Sequence, residues 1–100
     1  MWNINWSPEA ESQYYHILEY WNNRNKSNIY SLKIIDEVER MEELLSYNPF
    51  IGQECFLDAK TSGIRRVIVL SNYSIIYRIS ENIDILSFWD NRLDPKKLTL

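Results

Sequence analysis

The residues of this chain best suited to chemistry are arginines. Arg65, Arg66, Arg78 and Arg92 fall on or just beyond three strand-like runs in the second half of the sequence. A guanidinium is planar and permanently charged, and it grips phosphate or carboxylate through paired N–H bonds. Side chains alternate across a strand, so the adjacent Arg65 and Arg66 must point to opposite faces of a sheet, one of them toward solvent. Arg78 alternates with Ser74, Ile76 and Ser80, on the face opposite Tyr73 and Tyr77. Several strands can thus offer guanidinium groups on one open face, with Arg65, Arg78 and Arg92 converging on a target. The plainer account is that these arginines pair with Glu54, Asp84 and Asp90 at the sheet surface.

Other side chains carry two readings each. Trp89 is a stacking platform for a base or a partner side chain, or it is core. Lys60, in the loop before Gly63, reaches a ligand or is simply solvated. His16, the one histidine, falls between Ser12 and Glu19 on the polar side of a helix and reads as a surface residue, not a catalytic base. The single cysteine, Cys55, cannot form an intramolecular disulfide and reads as a small buried apolar group. No metal-ligand cluster, glycine-rich phosphate loop or nucleophile–base motif is present, so neither metal nor cofactor is expected. Any activity rests on the arginine face.

Charge narrows the partners. The net charge is −3 and the pI near 5.1, which argues against a general grip on nucleic acid. Residues 1–49 hold four basic and eight acidic side chains, net −4, whereas residues 50–100 hold seven and six, net +1. The tail Asp94-Pro95-Lys96-Lys97-Leu98 has too few lysines for a nucleic-acid arm, and no sequence-specific DNA binding is expected. The N-terminal residues lack the pattern of a signal peptide and no apolar run is of membrane-spanning length, so a cytoplasmic protein with no membrane contact is expected.

The elements that must position these residues follow from periodicity. Trp2, Ile4 and Trp6 alternate with Asn3 and Asn5 as a half-buried strand does. Ser7-Pro8-Glu9 starts a helix, with Ser as N-cap, Pro in the first turn and an acid beside it. Its stripe is Ala10, Tyr14, Ile17, Leu18 and Trp21, broken by Asn22-Asn23-Arg24-Asn25-Lys26. Ser27 caps a second helix reaching about Tyr47, with Ile34, Val38, Met41 and Leu45 inward and Asp36 paired to Arg40. Asn48-Pro49 ends it, and Gly52 permits the turn that follows. Ile64–Leu70, Tyr73–Ile79 and Ile83–Trp89 read as strands, and Gln53–Leu57 as a short edge strand. Fourteen aromatic residues suit the core of a single domain spanning residues 1–100. The predicted class is α+β: an N-terminal strand and an antiparallel two-helix hairpin packed on a mainly antiparallel sheet of four to five strands.

Over roughly Trp2 to Leu98 the chain resembles the RelE/ParE toxin superfamily. The resemblance is carried by five segments in order: Trp6-Ser7-Pro8-Glu9-Ala10-Glu11, Asn48-Pro49-x-x-Gly52, Gly63-Ile64-Arg65-Arg66-Val67, Asn72-Tyr73-Ser74-Ile75-Ile76-Tyr77-Arg78-Ile79, and Ile85-Leu86-Ser87-Phe88-Trp89-Asp90-x-Arg92-x-Asp94-Pro95. It implies the toxin of a type II toxin–antitoxin pair, held silent by a cognate antitoxin, with Arg65 the strongest carry-over among the target-binding candidates Lys60, Arg65, Arg78, Trp89 and Arg92. Some members cleave messenger RNA in the ribosomal A site, whereas ParE-like members bind DNA gyrase and cleave nothing.

RNA cleavage needs a base for the 2′-OH, a cation for the phosphate and an acid for the leaving oxygen. The RNA-cleaving members resembled here place a Tyr or His near the end of the last strand, where this chain reads Asp90-Asn91-Arg92. Glu54 could serve as a base, but Tyr77 falls on the apolar face and no second group is evident. The acidic pI also suits a phosphate-rich ribosomal site poorly. The expectation is a ParE-like inhibitor that binds a protein target, gyrase first, with a ribosome-dependent endoribonuclease as the alternative.

Overall fold

The computed structural model describes residues 1–55, 63–93 and 97–98. Strand β1 (Ile4–Trp6) leads into helix α1 (Pro8–Asn25), and helix α2 (Ile29–Tyr47) follows. A 3₁₀ turn (Pro49–Ile51) precedes β2 (Gln53–Glu54), then β3 (Ile64–Val69), β4 (Tyr73–Ile79) and β5 (Ile83–Asp90). The sheet order is β1-β5-β4-β3-β2, with β1 parallel to β5 and every other pair antiparallel. The expected α+β class with a hairpin on a mainly antiparallel sheet is therefore the observed one. Its single parallel pairing arises because β1 joins β5 only after the hairpin and three strands have intervened.

The start of α1 follows its local code. Ser7 caps it by accepting from the Ala10 N–H at 3.0 Å, with Pro8 in the first turn. Its end does not: the polar run expected to break the helix continues it to Asn25, and Lys26 closes it in a left-handed conformation. Those last residues are exposed, so no apolar stripe is needed to hold them. Asn22 instead accepts from the Ser31 hydroxyl and ties the two helices together. The cap of α2 is Asn28, one residue later than expected, while Ser27 accepts from the Ile29 N–H. Arg40 pairs with Glu37 three residues back, not with Asp36.

The core lies between hairpin and sheet. Ala10, Ile34, Val38 and Leu45 meet Val67, Val69, Tyr73, Ile75, Tyr77, Ile83, Ile85 and Phe88 there, all buried. Strand β5 carries a bulge: Ile76 faces Ser87 and Tyr77 faces Ile85, leaving Leu86 as the extra residue. The bulge shifts the alternation, so Ile83, Ile85 and Phe88 all reach the core while Trp89 turns to the far face beside Ser74. That far face is only partly open. Ile64, Ser74, Ile76 and Ser87 are buried on it, and Arg66, Ile68 and Arg78 are exposed.

Candidate functional site

The arginines expected to converge occupy three separate places. Arg65 pairs in register with Tyr77 and so lies on the helix side of β3, at its β2 edge. Its Nη1 donates to the carbonyls of Gly52 (2.8 Å) and Phe50 (3.3 Å), and its Nη2 to Glu54 (3.2 Å). The guanidinium also sits 5.3 Å from the centre of the Phe50 ring. Arg65 thereby fastens the 3₁₀ turn and β2 to β3. Glu54, the base considered for the endonuclease alternative, is exposed on the edge strand with its carboxylate engaged by Arg65.

Beneath this clasp, the buried Tyr77 hydroxyl donates to the Pro49 carbonyl at 2.6 Å and accepts from the Gly52 N–H at 3.0 Å. Burial pushes its pKa up, against the pull of the Gly52 N–H and of Arg65. Gly52 is not needed for a turn, because its φ of −70° and ψ of 149° suit any residue. It is needed because a Cβ there would lie 2.2 Å from the Tyr77 hydroxyl oxygen. The Asn48-Pro49-x-x-Gly52 segment is thus a socket for one tyrosine ring.

On the far face, Arg66 is the partner of Ile76 and Arg78 the partner of Ile64, so the two are diagonal neighbours there. Arg66, not Arg65, is the member of the adjacent pair that faces away from the helices. Its charge also tempers the upward shift that burial imposes on the Cys55 thiol. Lys60 lies outside the described residues.

The third place is the end of β5. Pairing with β1 stops at Ile85, so the rest of β5 borders a cleft of about 460 Å³ between the strand and α1. Gln13 of α1 covers part of the free strand edge, accepting from the Phe88 N–H (2.9 Å) and the Ser87 hydroxyl (3.0 Å). Tyr20 and His16 line the helical wall, and Tyr73, Trp89, Asp90 and Arg92 line the sheet side. Arg92 grips Asp90 through Nε (2.9 Å) and Nη2 (2.8 Å), and the Arg92 N–H adds a third bond at 2.9 Å. This grip holds the Asp90 carboxyl below the usual range, despite the partial burial that opposes it. The guanidinium stands 6.0 Å from the centre of the Tyr73 ring, and Tyr73 accepts from Trp21 Nε1 at 2.7 Å.

Of the target-binding candidates among the described residues, Arg65, Arg78, Trp89 and Arg92, the cleft brings together Trp89 and Arg92. Gln13, His16 and Tyr20 were not anticipated there, although their spacing of three and four residues marks a second stripe on α1 beside the core stripe. The arrangement offers one fixed ion pair, several aromatic rings and a free strand edge. Such a site suits the side chains of a macromolecular partner better than a small ligand, which a concave and enclosed pocket would hold. Among the described residues no group of three or more His, Cys, Asp or Glu is placed to hold a metal ion, and no helix is long and apolar enough to cross a membrane.

Residues 4–95 match the family described as the ParE toxin of the type II toxin–antitoxin system parDE. No curated protein matches the chain. Among solved structures, the chain is similar to one from the chromosomal ParDE toxin–antitoxin system of P. aeruginosa, with TM-score 0.71 and 17% identity over 90% of this chain and 96% of the other.

Proposed function

The chain belongs to the ParE toxin family of type II toxin–antitoxin systems, and from that membership we propose that it inhibits growth by binding a protein target, DNA gyrase being the first candidate. A cognate antitoxin neutralises it by covering apolar surface on the hairpin, where Tyr15, Tyr20, Ile29, Leu32 and Tyr47 are exposed.

The observation that carries the binding reading is the strand end. Asp90 and Arg92 are locked together there, and neither titrates near neutral pH. Glu54, the base considered for the endonuclease alternative, is engaged by Arg65, and the Tyr77 hydroxyl by Pro49 and Gly52. A binding inhibitor needs only fit and charge complementarity, which the aromatic cleft beside Arg92 supplies. Trp89 and Arg92 are the target contacts on this reading, with Arg78 as an outer contact and Arg65 as the clasp that shapes the sheet edge. Purified protein tested in gyrase supercoiling and in toeprinting of a translated message separates the two modes. Loss of supercoiling without codon-positioned cleavage is expected. Cleavage that disappears in Glu54→Ala, with supercoiling untouched, makes it an endoribonuclease.

A further inference from the structure

A second groove runs along the flank of α1 opposite the β5 cleft. It measures about 300 Å³, and its walls combine rings and carboxylates: Trp6, Tyr14 and Tyr15 with Glu11, Glu39 and Glu42. Among the described residues no lysine or arginine lines it. The rings form a continuous stack, Trp6 to Tyr14 at 5.1 Å and 27°, then Tyr14 to Tyr15 at 5.8 Å and 29°. Trp6 Nε1 donates to Glu42 at 3.2 Å, which sets that carboxylate against the aromatic wall. Burial pushes the pKa of the Tyr14 hydroxyl up to about 12, with Glu42 and Glu39 adding to the shift. A second depression continues outward past Glu11 and Tyr15 to Glu19.

Helix electrostatics account for only part of this acidity. Glu11 sits in the first turn of α1, where the macrodipole favours an acid. Glu39 and Glu42 lie in the second half of α2, toward its negative end, and the last turn holds no basic residue to offset them. Among the described residues, the one ion pair of α2 joins Arg40 to Glu37, outside the groove. Stacked rings beside unneutralised carboxylates suit a planar cation, since a guanidinium can lie on an aromatic face and bridge a carboxylate at once. We propose that this groove docks a basic, arginine-bearing segment of the antitoxin. The proposal rests on the antitoxin reading above and specifies its chemistry: the excess negative charge of the N-terminal half is the complement of a cationic partner segment.

The test measures the affinity of the purified antitoxin encoded beside this gene for four forms of the toxin: wild type, the double variant Glu39→Gln/Glu42→Gln, Glu11→Gln, and Glu81→Gln as a control in the distant β4–β5 turn. Gln at 42 keeps an acceptor for Trp6, and melting curves check that each variant folds. The double variant is expected to bind about tenfold to a hundredfold more weakly, the scale of losing charge-assisted hydrogen bonds. Glu81→Gln is expected to match wild type, and wild-type affinity to fall with salt. Charge reversal by Glu42→Lys should be restored by an antitoxin whose docking arginine is replaced by glutamate. Equal affinity of the double variant and wild type overturns the groove assignment alone. A wild-type toxin that binds no antitoxin overturns the antitoxin reading itself. A toxin dimer dissociated by the same Gln substitutions assigns the groove to a second copy and likewise overturns the proposal.

Discussion

Replacing Tyr77 by Phe removes one oxygen and leaves the ring in place. That oxygen serves two buried backbone groups, the Pro49 carbonyl at 2.6 Å and the Gly52 N–H at 3.0 Å. A buried group left without a partner costs about 1–3 kcal/mol, so Tyr77→Phe should cost about 2–4 kcal/mol. That is a large share of the roughly 5–15 kcal/mol available to a domain of this size. It corresponds to a fall in Tm of roughly 10–25 °C. Gly52→Ala attacks the same socket from the other side, because its Cβ would meet the Tyr77 oxygen at 2.2 Å, Cζ at 2.8 Å and Cε1 at 2.9 Å. It should cost at least as much, through overpacking and loss of the same hydrogen bond. Because both changes act on one contact, the double variant should be more stable than the sum of the single losses implies, by about 1 kcal/mol or more. Urea unfolding of the three variants, with m-values compared to wild type, measures all of this. A Tyr77→Phe loss below about 0.5 kcal/mol at unchanged m, or strict additivity with Gly52→Ala, refutes the socket.

Arg65→Ala should lower stability by about 1–3 kcal/mol, because it strips bonds from Gly52, Phe50 and Glu54, whereas Arg66→Ala should stay within about 0.5 kcal/mol in the same urea assay. Trp89→Ala and Arg92→Ala should each reduce growth inhibition while Arg66→Ala does not, and toxicity retained in the Trp89/Arg92 double variant at unchanged melting temperature removes the β5 cleft from the mechanism. Tyr14 is raised from 10.0 to about 12 in the folded state, so its contribution is complete below pH 10 and is lost as pH rises toward 12; alkaline unfolding should therefore shift to higher pH in Tyr14→Phe. Asp90 is depressed by Arg92, so its contribution is present above its ordinary pKa and lost as acid protonates it; the acid limb of the stability curve should flatten in Asp90→Asn.

Much of this protein is legible from residue order, because local rules act over a few positions. The Ser7-Pro8-Glu9 cap, the stripes of α1 and α2, and the alternation of Tyr73, Ile75, Tyr77 and Ile79 each depend on backbone geometry at spacings of two to four. Those periods are enough to specify a helical hairpin on a sheet, and the family resemblance follows from the same segments. Where the polar end of α1 lay exposed, the same rules misplaced the boundary, since nothing in the period requires a helix to stop where its stripe does.

The site was decided elsewhere. Alternation requires Arg65 and Arg66 to part, yet which one faces the helices depends on register with Tyr77, a contact between distant residues. The bulge at Leu86 turns Trp89 away from the core and brings Phe88 in, and no local signal marks it. Asp90 and Arg92 are neighbours in any conformation, but only the fold sets them beside Tyr73 and α1, at the stretch of β5 that β1 leaves uncovered. Gly52 reads in sequence as a turn residue. Tertiary structure makes it a cavity for Tyr77, because side-chain volume from 25 residues away along the chain occupies the space that a Cβ would need.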